Sequence, residues 1–72
     1  MRYMVVLEKG PSSYGAFVPD LPGCIAAGET EAEALALIQE AIQMHLEDLR
    51  ECGSPIPEPV SKSTFVEIGL AA

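Results

Sequence analysis

The sequence predicts a single α+β domain of order β-β-β-α-β: an antiparallel three-stranded meander, one helix laid on one face, and a fourth strand at the end. Three observations lead there. Apolar residues alternate with period two near both ends of the chain, they recur at helical spacing across residues 31–52, and prolines and glycines fall between these segments. At 72 residues the chain reads as one domain over 1–72. A domain of this size buries only roughly 60% of its unfolded surface, so the core is thin and self-association is a common remedy.

The first strand, residues 2–8, places Tyr3, Val5 and Leu7 on one face and Met4 and Val6 on the other. Residues 9–13, Lys-Gly-Pro-Ser-Ser, form a turn by composition. The second strand, 14–18, is stopped by Pro19, which offers no backbone N–H to a ladder. Leu21, ahead of a proline, is driven extended. Pro22 then supplies the fixed φ and Gly23 the positive φ of a type II corner. A third strand, 24–28, is built from small residues, Ala26, Ala27 and Gly28.

Thr30 is placed to cap a helix, and Glu33, three residues on, can reach back to the Thr30 amide as a capping box. The helix runs over 31–52, with Gly53 as the left-handed residue beyond its end. Winding it at about 100° per residue gathers Ala34, Leu35, Ile38, Ala41, Ile42, His45, Leu46 and Leu49 on one arc, the face for the sheet. Glu33, Glu40, Glu47 and Glu51 fall opposite. Leu37 and Met44, seven apart, sit beside the acidic line and outside the core arc.

The connector 53–63, with Pro55, Pro57 and Pro59, takes an extended polyproline form at about 3.1 Å per residue. Residues 64–70 then alternate as the last strand, which a right-handed crossover would bring parallel to the first. One helix covers one face of the sheet, yet Met4, Val6 and Phe17 also need cover, and a second subunit supplies it. The expectation is a homo-oligomer, a dimer or larger, and the connector is long enough to carry the last strand to a neighbour.

Composition excludes several function classes. The net charge is −7, with Arg2, Lys9, Arg50 and Lys62 as the basic residues. So few cations neutralise few phosphates, which argues against direct nucleic-acid binding and for a basic partner. Cys24 and Cys52 stand far apart and form no CxxC pair, so they read as reduced thiols. The charged first residues do not make a signal peptide, and no stretch approaches a membrane span. The expected location is cytoplasmic, with no membrane partner.

The order of elements resembles a truncated ribonuclease-H-like fold, whose nucleases gather carboxylates around metal ions. Here Glu8 ends the first strand, Glu67 lies in the last, and the helix glutamates point away from the sheet, so no metal site is expected. His45 lies on the core arc with no cysteine or carboxylate three or four residues away on that arc, and it reads as structural. The serines sit in loops without a nucleophile elbow, and the glycines form no phosphate loop. Neither catalytic nor cofactor-binding residues are expected.

Binding features are more distinct. Leu37 and Met44 flanked by Glu40 and Glu47 make an apolar patch with acidic neighbours, suited to protein contact. Tyr14 and the corner of Asp20, Leu21, Pro22 and Gly23 form a stiff projection that loses little entropy on binding. The expected partner-contacting residues are therefore Tyr14, Asp20, Leu21, Pro22, Leu37, Glu40, Met44 and Glu47.

Three ordered blocks carry a family resemblance: Val18-Pro19-Asp20-Leu21-Pro22-Gly23-Cys24, Gly28-Glu29-Thr30 leading into Glu31-Ala32-Glu33-Ala34-Leu35, and Gly53-Ser54-Pro55-Ile56-Pro57-Glu58-Pro59. Together they resemble the pattern of HicB-like antitoxin domains over nearly the whole chain. The resemblance implies a protein that binds and occludes a small basic HicA-type toxin, a ribonuclease of double-stranded-RNA-binding-like fold that cleaves messenger RNA. Many family members carry a C-terminal DNA-binding domain, and the sequence to Ala72 contains none. The expectation is a stand-alone toxin-facing or dimerising module. The alternatives are a free-standing oligomeric adaptor for another protein and, less in keeping with the carboxylate positions, a minimal metal-dependent nuclease.

Overall fold

A computed structural model describes residues 1–71. Three strands, β1 (Val6–Lys9), β2 (Tyr14–Phe17) and β3 (Ile25–Gly28), precede one helix, α1 (Glu31–Glu51). They form an antiparallel sheet of order β1-β2-β3, with Leu7 opposite Ala16 and Ala16 opposite Ala26. The α+β class and the meander agree with the sequence reading.

The strands are shorter than their apolar patterns suggest, because the corner after β2 consumes its last residues. Val18 donates its N–H to the Cys24 carbonyl (3.2 Å) while its own carbonyl accepts from Leu21 (3.1 Å), closing a turn over Pro19 and Asp20. Cys24 N–H then bonds the Leu21 carbonyl (3.1 Å) across Pro22 and Gly23, whose φ of +83° is the left-handed value of a type II turn. Two consecutive turns thus join β2 to β3. With Val18 engaged there, residues 2–5 have no ladder partner and β1 starts at Val6, not at residue 2.

α1 lies chiefly over β3, then β2, and touches β1 least. Ala16, Val18, Leu21, Cys24, Ala34 and Ile38 form the buried core, with Val5, Leu7, Ala41, Ile42 and Leu46 half-buried around it. The approach of β3 to the helix is close. A Cβ on Gly28 would stand 2.7 Å from the Ala34 amide nitrogen, so only glycine lets the strand end beneath the first helical turn.

Thr30 caps the helix by accepting from Glu33 N–H (3.1 Å). The Glu33 carboxylate reaches back, but to the Glu29 N–H (3.4 Å), one residue before the expected amide. At the other end Gly53 N–H bonds the Arg50 carbonyl and Ser54 N–H the Leu49 carbonyl, the Schellman arrangement, with Gly53 at φ +70°. Along the core arc Leu35 departs from expectation: it is 47% exposed. It lies at the margin of the arc, beyond the cover that three strands provide.

The connector is pinned at the end of the sheet where β1 begins and β2 has ended. Tyr3 donates its hydroxyl hydrogen to the Pro57 carbonyl. Ser61 donates twice to Asp20, from its N–H (2.9 Å) and its hydroxyl (2.7 Å). These bonds hold the Asp20 carboxyl below its ordinary value of 3.8. The expected fourth strand does not form: residues 64–70 run without a ladder partner, with Phe65 fully exposed and Leu70 90% exposed. A strand needs a neighbouring edge, and beyond Ser61 no edge of this single copy meets the segment.

Both cysteines are free, Cys24 buried and Cys52 exposed at the helix C-cap. Burial pushes the Cys24 thiol above its usual range.

Gly28→Ala forces the helix and β3 apart at a cost of about 1–3 kcal/mol, lowering Tm by roughly 5 °C or more in a thermal melt followed by circular dichroism. The Asp20 clasp behaves as a depressed carboxyl does: its contribution is complete above pH 3.8 and is lost as pH falls through the lowered native value. Proteolysis with an acid-active protease is expected to cut the connector only below that range in the wild type, and at all pH values tested in Asp20→Ala.

Candidate protein-interaction surface

The residues singled out by sequence fall in three places. Tyr14 opens β2 and is half-buried, its ring packed against the core. Asp20, Leu21 and Pro22 lie beyond the other end of the same strand, so the corner and Tyr14 stand at opposite ends of β2. Leu21 is fully buried, with no exposed surface for a partner, a correction to its expected role. It fills the space beneath the double turn, where the fold needs an apolar anchor more than the surface needs a contact. Asp20 is occupied by Ser61. Pro22 remains exposed.

The helix group stands as expected from the helical winding. Leu37, Glu40, Met44 and Glu47, spaced three, four and three apart, form one exposed stripe along α1. Met44 is 65% exposed and Leu37 38%. Glu47 accepts a hydrogen bond from the Gln43 side chain (3.1 Å), which fixes its carboxylate beside the stripe. With Glu31, Glu33, Asp48 and Glu51 also on this helix, the field around the apolar pair is negative.

Sequence reasoning missed a neighbour. Ile25, at the start of β3, is 72% exposed and lines one shallow groove with Ala41, Met44, His45 and Asp48. Its parity was the available signal: Cys24 and Ala26 face the helix, so Ile25 and Ala27 face away. β3 is also a sheet edge, so its outward backbone groups border the same groove. The surface therefore joins an apolar pair on α1, an exposed isoleucine and an open strand edge, ringed by carboxylates. Such a surface holds a protein chain better than a small molecule, since it offers area and edge hydrogen bonds but little enclosure.

The remaining candidates have other settings. His45 is half-buried in the wall of that groove. Glu8 and Glu67 are exposed, on β1 and on the extended segment after the connector. Among the described residues no three histidine, cysteine or acidic side chains come together as a metal site. Among the described residues no helix is long and apolar enough to cross a membrane.

Comparison with known proteins gives this surface its context. The profile of the HicB_like antitoxin of bacterial toxin-antitoxin system matches residues 3–67. The chain is 40% identical over 58 residues to an uncharacterized 14.9 kDa protein of Haemophilus phage HP1, covering 81% of this chain and 44% of that protein. It is 41% identical over 58 residues to a UPF0150 protein of Thermoplasma acidophilum, covering 79% and 84%. It is 37% identical over 73 residues to Antitoxin HicB 2 of Photorhabdus laumondii, covering 94% and 50%. It thus spans half or less of the phage protein and of the Photorhabdus antitoxin. Among solved structures, a chain of a HicA3 and HicB3 toxin-antitoxin complex superposes with a TM-score of 0.66 at 31% identity, covering 82% of this chain and 72% of that one. With its meander, capped helix and proline connector all inside the matched span, the chain belongs to the HicB-like antitoxin family.

Proposed function

We propose that this protein is a non-enzymatic antitoxin module that binds a small basic HicA-type toxin and occludes its RNA-cleaving surface by protein–protein contact. The observation that carries the reading is the exposed stripe in which Leu37 and Met44 alternate with Glu40 and Glu47. Apolar residues set among acids bind a surface that is itself evolved to hold phosphate, because the carboxylates meet its cations while the apolar pair is desolvated. A net charge of −7 adds attraction over longer range and speeds encounter. That the structural neighbour is a HicA3 and HicB3 toxin-antitoxin complex supports a toxin of the HicA class.

Pro22, Tyr14, Glu40 and Glu47 complete the proposed contact set, Pro22 as a rigid apolar tip at the corner beside Gly23. Leu21 and Asp20 contribute by shaping that corner. The cytoplasm, where a messenger-RNA-cleaving toxin acts, is the proposed site of action. We also propose self-association, on the exposure of the sheet's outer face, where Met4, Val6 and Phe17 are only half-buried and Ile25 is exposed.

Co-expression with a basic HicA-type protein encoded beside this gene tests the toxin reading. The tagged chain is expected to retain the toxin and suppress its ribonuclease activity, and Leu37→Lys with Met44→Lys to weaken retention at least tenfold while leaving the circular dichroism spectrum unchanged. Failure of the wild-type chain to retain such a neighbour removes this reading in favour of an adaptor for a different protein. For self-association, light scattering is expected to give at least twice the 7.6 kDa chain mass; a strict monomer at all concentrations contradicts it.

A further inference from the structure

We infer that residues 64–70 of one copy add as a fourth strand to the β1 edge of a second copy, so that two chains close each other's sheets. This rests on the self-association reading above and deepens it by naming the segment and the edge. It does not depend on a toxin.

Three observations carry it. The segment has the alternation of a half-buried strand, with Val66, Ile68 and Leu70 on one side and Phe65 and Glu67 on the other. Yet its apolar residues are all at least 71% exposed. A run this apolar with unpaired backbone is a template for pairing and does not stay in water when an edge is at hand.

The second observation is that the vacant edge and a vacant strip of helix lie on the same flank. β1 is paired on one side only. Above it, Leu35 and Leu46 lie eleven residues apart, about three turns, and so share a flank of α1. That flank faces the β1 side, because Leu46 lines a hollow with Ile56 of the connector, and the next residue, Pro57, is bonded to Tyr3. Leu35 is left 47% exposed there, and Leu7 and Ile42 are half-buried. A strand laid beside β1 puts Val66, Ile68 and Leu70 under these side chains and turns Phe65 toward Met4, Val6 and Phe17 on the outer face. One added strand therefore covers both apolar deficits of the sheet.

The third observation separates exchange from pairing within one copy. The Tyr3 and Asp20 bonds fix the connector against the lead-in to β1 of its own chain, where Arg2, Tyr3 and Met4 border Pro59, Ser61, Lys62 and Ser63. Lys62 and Ser63 alone remain to turn the chain along that edge, and residues 64–70 make no ladder with it. Two copies related by a two-fold axis satisfy both tails at once, a closed arrangement that leaves no surplus edge on β1.

A benzophenone amino acid in place of Phe65, with heavy-isotope-labelled and unlabelled chains mixed before refolding, tests this directly. Crosslinked peptides joining 64–70 to 2–9 and carrying one label of each kind are expected. Crosslinks confined to single chains, or mixed-label crosslinks to the Met44 flank of α1, overturn strand exchange while leaving self-association intact, whereas a monomer that crosslinks only to itself overturns both. Ile68→Asp, at a position exposed in the single copy, is expected to weaken self-association about a hundredfold, as loss of a buried isoleucine and burial of a charge require. Wild-type self-association in Ile68→Asp also overturns the proposal.

Discussion

The close passage of β3 beneath the first turn of α1 sets the rest of the molecule. Gly28 leaves the room, and Ala34 and Ile38 fill it as fully buried small and branched side chains. Because the helix is seated there, it lies toward β3 and β2 and leaves β1 thinly covered. The exposure of both helix flanks follows from that offset. On the β3 flank the helix displays its acidic stripe and Met44 above an open strand edge. On the β1 flank an incomplete core is left wanting a strand.

These two flanks have different chemistry, in keeping with the two kinds of partner proposed for them. The β3 flank mixes carboxylates with isolated apolar residues, suited to a cationic surface that is released and recaptured. The β1 flank sets Leu35, Ile42 and Leu46 of the helix beside Val6 and Leu7 of the strand, the apolar side chains on which the proposed pairing of identical chains rests. The connector crosses the end of the sheet between them and is fastened by Tyr3 and Asp20.

Much of this was readable in the sequence because local chemistry decided it. Pro19, Pro22 and Gly23 dictated the double turn, Thr30 the helix start and Gly53 its end, and the structure shows each in that role. The stripe of Leu37 and Met44 was legible for the same reason, since helical winding alone places it. What escaped reading depends on tertiary context. Leu35 looked like a core residue because periodicity cannot say how wide the sheet is. Leu21 looked like a surface tip because nothing local reveals that a turn residue points inward. Asp20 was assigned to a partner because its bond to Ser61, forty-one residues away, is invisible to any local pattern. The last strand was recognised by its alternation, but a strand pattern states only that an edge is needed, not whose.

The two cysteines divide the molecule's thiol chemistry. Cys24 sits inside the core with its proton held more firmly than usual, while Cys52 is open to solvent where the helix gives way to the connector. A maleimide dye therefore reacts at one position in the folded chain. That position is the joint between the helix and the proline connector, so fluorescence anisotropy of a probe attached there reports whether the Tyr3 and Asp20 clasps hold the connector, without any engineered residue. The same exposure means that in air the chains can join through Cys52 by a covalent bond unrelated to strand pairing, which dithiothreitol removes.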